Sequence, residues 1–150
     1  MAKELFLARL RELLRGIPDR ALAVKSAAEA IAGEGGYRWV GIYEVTATDI
    51  GMLACTGSTP PAFPRFPVSK GLCGSAVARR SVVNVANVQE DPRWLTTFGT
   101  TRSEIIVPII TAAGQVIGLI DVESDRLNAF SRDDEGFLTS CAPILLRFAP

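Results

Sequence analysis

Apolar positions recur every three or four residues near both ends of the chain; between them they alternate or run together. Over Glu4–Leu14, the residues Phe6, Leu10, Leu13 and Leu14 form one stripe, which predicts an amphipathic helix. Gly16 ends that run. Pro18 suits the first turn of a second helix, which carries Leu22, Val24, Ala27, Ala28 and Ile31. The glycines of Gly33-Glu-Gly-Gly36 stop it. "YRWVGIYEV" and "IGMLACTG" read as strands joined by a turn at Thr46–Asp49. Prolines at 60, 61, 64 and 67 make Ser58–Ser69 a rigid loop pressed over something. Short helices are expected at Ser75–Arg80 and Pro92–Leu95, with "SVVNV" as a short strand between them. The runs "SEIIVPIIT" and "GQVIGLIDVES" predict a hairpin turning at "TAAG". Ser131-Arg-Asp-Asp134 has the capping-box form and opens a last helix with Phe137, Leu138, Cys141, Ile144, Leu145 and Phe148 on its apolar side. Pro143 should kink or shorten that helix. The order predicts an α+β fold: a central, mostly antiparallel sheet of about five or six strands, with helices on one face.

Composition narrows the chemistry. A chain of 150 residues, 48% apolar and 21% charged, suits a single globular domain over 1–150. Sixteen basic and sixteen acidic residues leave no surplus to draw nucleic acid. Charges break up the apolar residues of the first segment, so neither a signal peptide nor a membrane span is expected there. Cys55, Cys73 and Cys141 are odd in number and far apart, which fits reduced thiols in a cytoplasm. Histidine is absent, and this excludes Ser-His-Asp and Cys-His catalysis. With no CxxC pair either, no metal site and no cofactor are assigned from the sequence.

Three stretches together, "WVGIYEV", "PVSKGLCGSAVA" and "SEIIVPI…GQVIGLIDVES…F…D", resemble a GAF domain from about Ala21 to the last helix. The middle loop is most similar to the GAF-type free methionine-R-sulfoxide reductases, whose loop runs basic residue, Gly, hydrophobic residue, Cys-Gly-Thr-Ala. The resemblance implies a thiolate that attacks the sulfoxide sulfur and becomes a sulfenic acid. A second cysteine then resolves it as a disulfide, which an external thiol reduces. Cys73 matches the loop cysteine. The two other cysteine positions of the pattern fall at Phe63 and near Thr97, which are not thiols. The resemblance also implies that Glu104, Asp121 and Glu123 hold the amino group of a free amino acid beside Trp39 and Tyr43. It therefore points to a small-molecule-binding domain with a sensory or regulatory role. The alternative is a divergent reductase using Cys73. Pairing of two copies through the terminal helices is expected as well.

The residues carry part of this on their own. On strands, Trp39 and Tyr43 share a face, as do Asp121 and Glu123, and Val122 points the other way into core. Acids gathered from adjoining strands repel one another, so their pKa values rise unless a cation sits among them. A ligand amine, Arg102 and Lys70 are the candidates. A helix starting near Ser75 would draw a ligand carboxylate and favour the thiolate of Cys73. Acids on one side and that helix end on the other would suit a zwitterion in one polar hollow. Plain core packing is the alternative for the aromatic pair, and a strand end in solvent is the alternative for the acids. For Cys73 the alternative is an unreactive small residue in a tight turn. Cys55 and Cys141 read as ordinary buried cysteines.

Overall fold

A computed structural model describes residues 2–148. Two helices, α1 (Ala2–Arg15) and α2 (Arg20–Gly35), precede the strands β1 (Trp39–Val45), β2 (Asp49–Cys55) and β3 (Arg65–Pro67). Helix α3 (Gly71–Arg79) and strand β4 (Val83–Val85) follow, then β5 (Ser103–Ile110), β6 (Val116–Ser124) and α4 (Arg132–Cys141). The sheet order is β3-β2-β1-β6-β5-β4, and every neighbouring pair is antiparallel.

Alternation on the central strands separates two cores. Val40, Ile42, Ile105, Val107, Ile120 and Val122 point to one face, where α1, α2 and α4 cover them with Leu10, Leu14, Ala27, Ile31 and Leu138. Each of these buried Val, Ile and Leu side chains contributes about 1.5–3 kcal/mol. Tyr43, Ile106 and Leu119 point to the other face, against Leu72, Cys73 and Ala76 of α3 and Val88 beyond β4. The helices are therefore not confined to one face, because α3 caps the side opposite the other three. The stripe of α1 faces its own chain through Phe6, Leu10 and Leu14, while Leu5 and Leu13 remain 53% and 42% exposed. No helix among the described residues is long and apolar enough to cross a membrane.

Local chemistry accounts for the other departures from expectation. Asp19, not Pro18, opens α2: its side chain accepts from the Leu22 amide at 2.8 Å, and the proline lies ahead of the cap. The proline-rich loop contains β3, which pairs on one side only, so Pro67 disrupts no second ladder. Arg65 reaches back over Gly51 on the sheet face to pair with Glu44 (3.3 Å) and Asp49 (3.9 Å). No helix forms at Pro92–Leu95. A short 3-10 turn at Val88–Glu90 precedes it, and Asp91 folds back onto Arg93 through a 2.6 Å ion pair. Cys55 is half-buried at the end of β2, whereas Cys141 is fully buried. The capping box at Ser131 forms with Asp134, and past Cys141 the last helix tightens into a 3-10 segment, Ala142–Phe148, that contains Pro143.

Two glycines carry opposite predictions. A Cβ on Gly74 would sit 2.6 Å from the Ser69 carbonyl carbon and 3.0 Å from the Val68 oxygen, so the loop backbone blocks it. Gly74→Ala should destabilise the domain by about 1–3 kcal/mol. Nothing lies within 4 Å of a Cβ on Gly33 inside α2, and Gly33→Ala should stabilise by about 0.5–1 kcal/mol. Urea denaturation of the two variants checks both signs.

Candidate functional site

Register on β1, β5 and β6 builds the site. Glu104 faces Glu123 across the β5–β6 ladder, and Asp121 lies two residues along β6 on the same face. Trp39 pairs with Glu123 and Gly41 with Asp121 on the other flank of β6. The Trp39 indole lies over Gly41, in the space that a side chain at 41 would occupy. Phe98 meets the indole edge-on, with ring centroids 5.3 Å apart at 77°.

Helix α3 closes the site from above. It begins at Gly71, earlier than expected, because that glycine takes φ +74° and turns the chain into the helix beside Leu95. Cys73 thus sits in the first helical turn, buried on the sheet face rather than presented at a free end. Its sulfur, one oxygen of Glu104 and one of Asp121 lie within 4.8 Å of one another.

Electrostatics here differ from the sequence expectation for the thiol. Glu104, Asp121 and Glu123 are 3%, 1% and 2% exposed. Burial pushes all three carboxyls upward. The neighbouring Glu123 raises Glu104 further, and the Glu104 charge does the same to Asp121. Glu123 is raised to about 9, first by burial and then by the charge of Asp121; the hydroxyls of Thr97 and Thr101 pull it the other way. Thr101 Oγ1 donates to Glu123 Oε1 at 2.9 Å. Burial and the same three acids push the Cys73 thiol well up, overriding any help from the helix end, so it stays protonated at neutral pH. Glu104 Oε2, Asp121 Oδ1 and Glu123 Oε2 are buried with no basic or amide donor, and the three carboxyls lie against one another with Asp121 in the middle; the Trp39 indole nitrogen is also buried without a partner, and the Trp94 indole lies against Glu104. Among the described residues no ion pair reaches these acids: Lys70 is exposed and Arg102 half-buried, and neither pairs with them.

The hollow is divided. An inner cavity of about 20 Å³ is lined by Tyr43, Cys73, Glu104 and Asp121, together with Phe63 and Thr97. An outer cavity of about 270 Å³ is lined by Arg38, Trp39, Phe98, Thr101 and Glu123. All six residues singled out from the sequence lie on this side of the molecule, but Trp39 and Glu123 line the outer cavity and the other four the inner. The strap from Leu95 to Thr101 separates them. Leu95, Thr96 and Thr97 face inward, and Phe98, Thr100 and Thr101 outward. A bond from the Ala62 amide to the Thr97 carbonyl, 3.1 Å, ties the strap to the proline-rich loop. Arg38, Trp94, Phe98 and Thr101 escaped sequence reasoning. Phe98 and Thr101 lie in an irregular stretch, and Arg38 and Trp94 gain a role only from the remote segments packed beside them.

Comparison with known proteins agrees with this architecture. The profile of the GAF domain matches residues 8–145. GAF domain-containing protein A of Dictyostelium discoideum is 29% identical over 142 residues, spanning 95% of this chain and 89% of that protein. The type II free methionine-R-sulfoxide reductase structure from Thermoplasma acidophilum is 31% identical, with a TM-score of 0.78 over 93% of this chain and 97% of that one. The free methionine-R-sulfoxide reductase of Neisseria meningitidis, solved in complex with its substrate, superposes with a TM-score of 0.85 at 26% identity, over 99% and 90% of the two chains. A match that runs from residue 8 to residue 145, on a six-stranded antiparallel sheet of this order, places the chain in the GAF domain family.

Proposed function

We propose that this GAF domain binds a small zwitterion through its ammonium group, in a sensory or regulatory role, and does no chemistry on it. The observation that carries the reading is the buried Glu123 carboxyl lining the outer cavity, backed by two further acids that no basic side chain neutralises among the described residues. A buried carboxyl cluster of this kind attracts a cation. The outer cavity has room for an amino-acid-sized body, and the inner one does not. The Trp39 indole offers the ammonium an aromatic face, and its unpartnered N–H is a donor for a ligand carboxylate oxygen. Arg38, on the same cavity, supplies the charge for a ligand carboxylate. It replaces the α3 helix end in that role, because no residue of α3 lines the outer cavity. Tyr43, Cys73, Glu104 and Asp121 then form the wall behind the ammonium rather than its direct contacts.

A second reading, a divergent methionine-R-sulfoxide reductase using Cys73, is favoured by the likeness to the reductases named above and by the placement of Cys73 with Phe63 and Thr97 on one cavity. Chemistry opposes it. The thiol is held protonated, and positions 63 and 97 offer no resolving sulfur.

Isothermal titration with free amino acids, methionine and its sulfoxide among them, should give saturable 1:1 binding. The analogue lacking the amino group should bind at least about tenfold more weakly, as a lost charge-assisted contact requires. Glu123→Gln should weaken amino-acid binding by about 10–100-fold with little change in melting temperature. Equal affinity for the amine and its deaminated analogue would overturn the reading. In an assay of free methionine-R-sulfoxide with dithiothreitol, the protein should turn over no faster than its Cys73→Ser variant. A rate that depends on Cys73 would establish the reductase instead.

A further inference from the structure

We propose that the inner cavity is a binding site for a divalent metal ion of the zinc type, held by Cys73 Sγ, Glu104 and Asp121. The proposal goes beyond the zwitterion reading and concerns the other compartment. Three observations converge on it. The three candidate ligand atoms lie within 4.8 Å of one another, and all three residues are buried. A modest inward shift would bring them to the 2.0–2.3 Å bond lengths of zinc, about which oxygen and sulfur ligands stand a little over 3 Å apart. Glu104 Oε2 and Asp121 Oδ1 are buried and accept no bond from another donor, and the two carboxyls lie against each other, so a cation that displaces the proton between them gains an oxygen from each. The cavity that these residues line has a volume of about 20 Å³, room for one water-sized body and too little for an organic ammonium with its chain.

Donor chemistry selects the class of ion. One thiolate with two carboxylates matches a borderline metal, whereas calcium and magnesium take six or more oxygens and reject sulfur. A thiol that is a poor nucleophile in its free form is deprotonated outright on coordination. Two carboxylates and one thiolate carry three negative charges, which a dication largely offsets. Three protein ligands leave a fourth position for a water molecule. The Trp94 indole, beside Glu104, belongs to the surrounding layer that orients a ligand carboxylate. None of this is visible as a motif, because the ligands come from α3, β5 and β6.

The test uses the full chain, freed of metal with a chelator and kept reduced. Titration with Zn²⁺ against a chromophoric chelator should show one tight equivalent. Co²⁺ should add a near-ultraviolet thiolate-to-metal band. Cys73→Ser should abolish that band and weaken Zn²⁺ binding by about 100-fold, and Glu104→Gln should weaken it by at least about tenfold. The Cys55→Ser/Cys141→Ser double variant should keep both the band and the stoichiometry, which preserves the test should Cys73→Ser fail to fold. A band that follows Cys55 or Cys141, Zn²⁺ binding that survives in folded Cys73→Ser, or no binding at micromolar Zn²⁺ would overturn the proposal. The metal titration contains no amino acid, and the amino-acid titration can be run with chelator present, so each reading can fail without the other.

Discussion

Three carboxyls held on the inner face of an otherwise apolar sheet are the constraint around which this domain is organised. Antiparallel register leaves no choice about the face: Glu104 opposite Glu123, with Asp121 two residues along, puts all three on the side of Tyr43, Ile106 and Leu119. A one-residue slip in either strand would send them into the helix-covered core with Val122 and Ile105, where no cavity and no polar partner awaits. The hydrophobic core on that second face therefore acts as the clamp that keeps the acids in place. Its burial fixes the register, and the register fixes the charge.

Desolvating three acids together is costly, and the surroundings show how the cost is met. The carboxyls are pushed toward their neutral forms, Asp121 lies between Glu104 and Glu123 and bonds to both, and the Thr101 hydroxyl donates to Glu123. The same field governs Cys73. Placed in the first turn of α3, a thiol would ordinarily gain thiolate character; placed against three acids in a buried corner, it loses it. Burial first, and the neighbouring acids second, outweigh the helix end in setting the thiol's protonation.

The strap from Leu95 to Thr101 adds a further decision. With Phe98 set edge-on against Trp39 and Thr97 tied to Ala62, it splits one polar hollow into a compartment of ionic size and one of amino-acid size. Glu123 lines the larger compartment, and Glu104 and Asp121 the smaller. The aromatic contact and one backbone bond are modest in energy, so the division rests on side chains able to repack rather than on the sheet.

The sequence alone determined whatever depends on near neighbours along the chain. The strand faces, the hairpin at "TAAG", the capping box at Ser131 with Asp134, and the end of α4 just ahead of Pro143 follow from periodicity, turn chemistry and a missing amide, and all are present. Tertiary structure decided what depends on packing between distant segments. It put α3 on the face opposite the other helices and made an edge strand inside the proline-rich loop. It also seated Phe63, Cys73 and Thr97 around one small cavity and shared the six expected residues between two compartments. The physical reason is that a strand's alternation says which way a side chain points, whereas desolvation and cavity shape depend on which remote backbone comes to lie over it.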